Sequence, residues 1–172
     1  MNSVLSHILR FVFLVLLQVL VLNQMEIGFG IQIMVYPLFI LLLPVELNVF
    51  YIMLLAFGMG MSIDAMSNTY GLHTSALLAF AYFRPIIFKA FAPRDGYDIL
   101  LETNVFNMGN GWFIRVFGIL ILIHHLWFFA LEMFKLNEIL MVLQKTALSV
   151  VLSFLICILL QYLFIRKRDN EI

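Results

Sequence analysis

Apolar runs long enough to cross a bilayer recur along the whole chain, and they constrain the fold before anything else does. FVFLVLLQVLVL, GILILI and VVLSFLICILL are the centres of three of them. A helix needs about 20 apolar residues to span the hydrocarbon core, and about 17 suffice. Six segments approach that length, over residues 7–25, 27–43, 49–66, 74–91, 112–132 and 146–165. The second is the shortest and contains Pro37, which predicts a kink or little tilt. Asn23, Gln24, Glu26, Gly28 and Gly30 in the link before it leave a re-entrant hairpin open as an alternative. A membrane barrel would need short strands of alternating polarity. These runs do not alternate, so helices are expected.

Composition agrees. Hydrophobic residues make up 64% of the 172 and charged ones 12%, against about a quarter charged in a soluble domain. So much apolar surface cannot be hidden inside a soluble fold of this size. The expectation is an all-α polytopic membrane protein, one domain over 1–172, with six transmembrane helices. The formal net charge is zero, which gives no bias toward nucleic acid. Cys157 is the single cysteine and lies in an apolar run, where it reads as packing. The first run lacks a small-residue cleavage site and reads as a retained helix.

Basic residues set the expected orientation. Arg10, Lys89, Arg94, Arg115 and the cluster Arg166, Lys167, Arg168 fall on one side of a six-helix layout. Lys135 and Lys145 fall on the other, with Glu26, Glu132 and Glu138. Both termini are therefore expected in the cytoplasm. The central loop has Gly109, Asn110 and Gly111 as a turn before Trp112, and its apolar Ile99–Leu100–Leu101 is suited to lying on the inner membrane surface.

The stretch GMGMSIDAMSNTYGLHTSALLAFAYFRP, residues 58–85, holds most of the candidate functional residues. Ala56, Gly60 and Asp64 recur every four residues and share a helix face. Small residues there let a second backbone come close, with Asp64 as a polar anchor. The alternative places Asp64 at the outer surface as a cap. Arg84 lies near mid-membrane, where snorkelling is difficult, and so needs a partner. Asp64, another protein, or a lipid phosphate would serve. Asp64, His73 and Arg84 are also the ingredients of a proton relay, although a histidine at a helix start more often caps. His125, Phe129 and Glu132 share a face by their spacing, a hydrogen-bonded or partner-facing strip. His124 and His125 are adjacent, so they diverge by about 100° and make a poor start for a zinc site. No nucleophile elbow, metalloprotease motif or phosphate-binding loop is present. The reading is of a chain that is not an enzyme and carries no cofactor.

The same stretch resembles the MreD family of rod shape-determining proteins. The pattern is a small-residue run, an acid, a few polar residues, then Gly-Leu and a helix, here Gly58, Gly60, Asp64, Gly71 and Leu72. HHLWFFALE, residues 124–132, resembles the fifth helix of versions from the Bacteroidota. Arg84, Lys89 and the long LETNVFNMGNG loop depart from the enterobacterial form. The resemblance implies six helices in the fold of the substrate-binding subunits of energy-coupling-factor transporters. It implies a non-catalytic scaffold of the cell-elongation machinery in the bacterial inner membrane. The partners implied are an MreC-like protein with a single membrane helix, a SEDS glycosyltransferase, a class B penicillin-binding protein and, indirectly, an MreB-like filament, besides membrane lipids. The fold relation also supplies the alternative, a solute-binding subunit of a vitamin-type transporter, for which Asp64, Asn68 and His73 would line a pocket.

Overall fold

A computed structural model describes residues 3–25, 27–94, 96–98, 102–134 and 136–164. Among them there are helices and turns but no strand, only one isolated bridge between Ile27 and Ile31. Helix α1 runs Ser3–Leu20, α2 Pro37–Leu41, α3 Val49–Ser67, α4 Leu72–Ala90, α5 Val105–Met108, α6 Asn110–Met133 and α7 Ile139–Phe164. Four stretches are long and apolar enough to cross a membrane: Val4–Gln24, which is α1 with the turn after it, and α3, α6 and α7. Helix α4 matches α3 in length but carries Arg84, Lys89 and an internal Pro85.

The chain is a multi-pass membrane bundle with a dense centre. Its outward surface is studded with exposed Phe50, Leu54, Phe57, Leu140, Val151, Leu155 and Leu159, the face a lipid-solvated helix presents. The sequence expectations Arg166, Lys167, Arg168, Glu26, Lys135 and the run Ile99–Leu101 lie outside the described residues.

The second apolar segment is the one that departs from expectation. Residues 27–43 do not form a helix. After a turn at Gly28–Gly30 the chain is extended over 32–35, and only Pro37–Leu41 is helical. Every residue from Ile33 to Leu43 is nonetheless buried, five of them with no exposed surface at all: Met34, Val35, Tyr36, Ile40 and Leu41. The chain therefore passes through the middle of the bundle, from the end where α1 finishes to the end where α3 begins. Pro37 opens α2 because its fixed φ suits a first helical turn and its missing N–H is not needed there. Extended backbone at this depth leaves N–H and C=O groups without intra-segment partners, each unsatisfied group costing several kcal/mol in lipid. The surrounding helices must supply what the segment lacks.

Candidate functional site

The α3–α4 hairpin frames one side of the centre. Asn48 starts α3 by accepting the N–H of Phe50 at 2.9 Å. At its far end Asn68, Tyr70 and Gly71 take positive φ values of 55°, 49° and 92°, which folds the chain back within a few residues. Gly71 serves the last of these without steric cost. A Cβ on Gly60 would stand 2.4 Å from Cα of Thr74, so only glycine lets the two helices approach this closely. Ala56, Gly60 and Asp64 thus form the expected small-residue seam, and all three are buried. Gly58 is not part of it: nothing lies within 4 Å of where its Cβ would be.

Asp64 ends that seam as a cap on the neighbouring helix. Its carboxylate accepts from the N–H groups of His73 at 3.1 Å and Thr74 at 2.8 Å. It also accepts the hydroxyls of Thr69 and Thr74. These are orphan donors of the first turn of α4, whose own N-cap, Gly71, has no side chain to meet them. The dipole of α4 favours the negative charge there.

Arg84 does not pair with Asp64. It lies toward the opposite end of α4, almost wholly buried, and its Nη2 donates to the carbonyls of Leu41 at 3.3 Å, Leu43, and Pro44 at 3.4 Å. Its guanidinium carbon stands 4.3 Å from the centroid of the Phe88 ring. Leu41 is the last residue of the short α2, whose final carbonyls lack intrahelical partners, and Leu43 and Pro44 follow in the turn beyond it, so carbonyl lone pairs converge on the cation. Thr103 adds a hydroxyl donor to the carbonyl of Leu41 at 2.6 Å. The arginine is thus a clamp on the crossing segment.

The extended half of the segment is held from both edges. On one edge the N–H of Gln32 donates to Oγ of Ser149 at 3.0 Å, and that of Met34 to Oγ of Ser153 at 2.9 Å. Two residues of extended chain rise about 6.6 Å, and four residues of helix about 6 Å. Ser149 and Ser153 are therefore in register with alternate N–H groups. On the other edge the side chain of Gln18 donates to the carbonyl of Ile33 at 2.8 Å and accepts the N–H of Val35 at 3.0 Å. The buried positions of α7 are Val142, Thr146, Ser149, Ser153, Cys157 and Gln161. Five of these six are Thr, Ser, Cys or Gln, so α7 turns its polar stripe inward and its leucines out.

Tyr36 lies where the extended half becomes helix, and a line of buried imidazoles meets it. Its hydroxyl is 2.9 Å from Nδ1 of His73 and 2.8 Å from Nε2 of His124. His125 Nδ1 is 2.9 Å from the carbonyl of Ile121, so it must donate. Its Nε2, 3.0 Å from Oγ of Ser153, then accepts the serine proton. The Nδ1 of His124 faces that of His125 at 3.5 Å and takes the acceptor role, which leaves its proton on Nε2. Neutral His124 accordingly donates to Tyr36, and Tyr36 donates to Nδ1 of His73. Each group in the line has one role, fixed from the Ile121 carbonyl outward.

The line ends at a vestibule of about 240 Å³ lined by Asn23, Gln32, Ser67, Thr69 and His73 among apolar neighbours. Several of its polar groups are engaged: Asn23 with Gln18 and Ser67, Gln32 with Glu132, and Thr69 with Asp64. Glu132 also meets Lys145 at 3.2 Å. The expected strip of His125, Phe129 and Glu132 thus faces α7 and the crossing segment. Sequence reasoning missed Gln18, Tyr36, Ser149 and Ser153 and weighed His124 only as part of a poor zinc site, although the inward polar stripe of α7 is visible in the spacing 146, 149, 153, 157, 161. Among the described residues no group of three His, Cys, Asp or Glu side chains converges to hold a metal ion. Comparison of the chain with protein-family models, with curated proteins and with solved structures finds no match in any of the three.

Proposed function

We propose that this chain is a non-catalytic scaffold subunit of the bacterial cell-elongation machinery, of the MreD kind. One observation carries the reading. The stretch 58–85, on which the resemblance rests, builds the α3–α4 hairpin, caps α4 through Asp64 and clamps the crossing segment through Arg84. Its polar residues serve internal fixation, as a scaffold needs and as a turnover site does not. On this reading α1, the segment 31–43, α3, α4, α6 and α7 make six passes through the inner membrane. The termini lie in the cytoplasm, and the architecture is that of the energy-coupling-factor substrate-binding subunits. Partners meet the bundle within the bilayer: an MreC-like protein with one membrane helix, and through it a SEDS glycosyltransferase and a class B penicillin-binding protein.

The vestibule favours a second reading, a solute-binding transporter subunit, because it is polar and bounded by His73. Its volume is below the range of about 300–1,000 Å³ usual for small-molecule sites. Affinity purification of the tagged chain from its own membranes in mild detergent separates the two. Co-recovery of an MreC-like protein with wall synthases is expected. Recovery with an ATPase pair and a coupling protein, and without those partners, would overturn the scaffold reading.

A further inference from the structure

At the end of the bundle where α1 begins and α7 finishes, a groove of about 340 Å³ opens between these two helices. Its floor is Leu38 and Leu42 of the crossing segment, and its walls include Leu9, Phe13, Leu160 and Phe164. Gln161 also lines it and has no exposed surface. The Oε1 of Gln161 accepts the N–H of Val105 at 2.8 Å, which fixes the orientation of the amide. Its Nε2 is left without a partner among the described residues. A buried donor left unmade costs about 1–3 kcal/mol, and the groove that Gln161 lines is the open space beside its side chain. At the rim Arg10 donates through Nη1 and Nη2 to Glu102, at 3.1 and 3.0 Å, and keeps its remaining N–H donors.

We propose that the groove binds an acyl chain of an anionic glycerophospholipid, with an ester carbonyl at Nε2 of Gln161 and the phosphate beside Arg10. Size selects the occupant. A transmembrane helix with its side chains is about 10 Å across, too thick for a groove of this volume, whereas one hydrocarbon chain fits. Apolar walls, one amide donor partway in and a guanidinium at the mouth match tail, ester and phosphate in that order. Charge favours an anionic headgroup: Lys89, Arg94 and Arg115 lie at the same end as Arg10, against Glu46, Asp98 and the Glu102 already paired with Arg10. The inference is independent of the scaffold reading, since either kind of subunit would hold such a lipid.

The test uses the full chain in vesicles containing a phosphatidylglycerol with a photoactivatable acyl chain. Crosslinked peptides are mapped by mass spectrometry, with a phosphatidylcholine probe of the same chain length in parallel. Crosslinks should concentrate in 9–14 and 160–164, and the phosphatidylglycerol probe should label at least fivefold more than its counterpart. Leu9→Trp fills the groove from a half-exposed position and leaves the Gln161–Val105 bond intact; it should abolish the concentration of label there. Crosslinks spread evenly over the lipid-facing sides of α3 and α7 would overturn the proposal. So would equal labelling by the two probes, or label at 9–14 and 160–164 that persists in Leu9→Trp.

Discussion

Gly58 and Gly60 stand two residues apart on α3 and meet opposite surroundings. Gly60 is pressed against the backbone of Thr74, whereas Gly58 faces open space. Gly60→Ala should therefore force the helices apart and cost about 1–3 kcal/mol, the usual penalty of overpacking. Gly58→Ala should be neutral or stabilising, because alanine is the better helix former. Thermal unfolding of the two variants in detergent checks this, and equal midpoints would refute the seam. Arg84 gives a parallel contrast. Its removal strips the carbonyls of Leu41, Leu43 and Pro44 of a charged donor, and hydrogen bonds to charged groups are worth about 1.5–3 kcal/mol. Arg84→Leu should lower the unfolding midpoint and the amount of protein in the membrane. Lys89→Leu, five residues on at an exposed position, should change neither. The need of Arg84 for a partner is legible from its depth in an apolar helix. Its choice of partner is not, because those carbonyls are presented to it only once the helix stops at Leu41 and the chain turns through Leu43 and Pro44.

At the scale of the element, the crossing segment shows where sequence reading stops. Residues 27–43 are as apolar as a spanning helix, and hydropathy reports depth without reporting conformation. A buried extended strand flanked by a short helix needs the same leucines and isoleucines. The distinguishing signal lies elsewhere in the chain, in Gln18 of α1 and in Ser149 and Ser153 of α7, which are hard to explain on helices that satisfy their own backbones. Those three side chains are what make the extended path affordable in a lipid-solvated bundle. Ser153→Ala deletes only the hydroxyl, and with it the acceptor for Met34 N–H and the donor to His125. Amide hydrogen exchange at 32–35 should accelerate at least tenfold in that variant, while exchange in the α3–α4 hairpin stays unchanged. Uniform acceleration across the bundle would show that the serine supports global stability and not the segment. The tautomers offer an independent reading of the same element. Nitrogen-15 spectra should place the proton on Nδ1 of His125 and on Nε2 of His73 and His124. In Tyr36→Phe the His73 and His124 signals should shift, and that of His125 should stay.

For the whole molecule, the path of the chain fixes which loops share a side. Helix α3 carries the chain from one end of the bundle to the other, so Glu46 just before it and Tyr70 just after it should face opposite compartments. The orientation expected from the basic residues puts Glu46 in the cytoplasm, along with Arg94 and Arg115. The chain is suited to a direct test because its single cysteine, Cys157, is fully buried and should not react with a membrane-impermeant thiol reagent. Tyr70 is 99% exposed and Glu46 is also exposed, so cysteine at either position should be reachable from its own side. In spheroplasts Tyr70→Cys should label without permeabilisation, and Glu46→Cys only after it. Reversal of both would invert the orientation while leaving the bundle intact. Labelling of both from one side would mean that α3 does not cross, and with it would fall the passage of residues 31–43 through the membrane, because that segment starts from the turn that Asn23 joins to Ser67 at the Tyr70 end and finishes in the loop that holds Glu46. A result that separates the loops therefore supports an extended crossing inside the bilayer, a path whose buried amides only the side chains of α1 and α7 make tolerable.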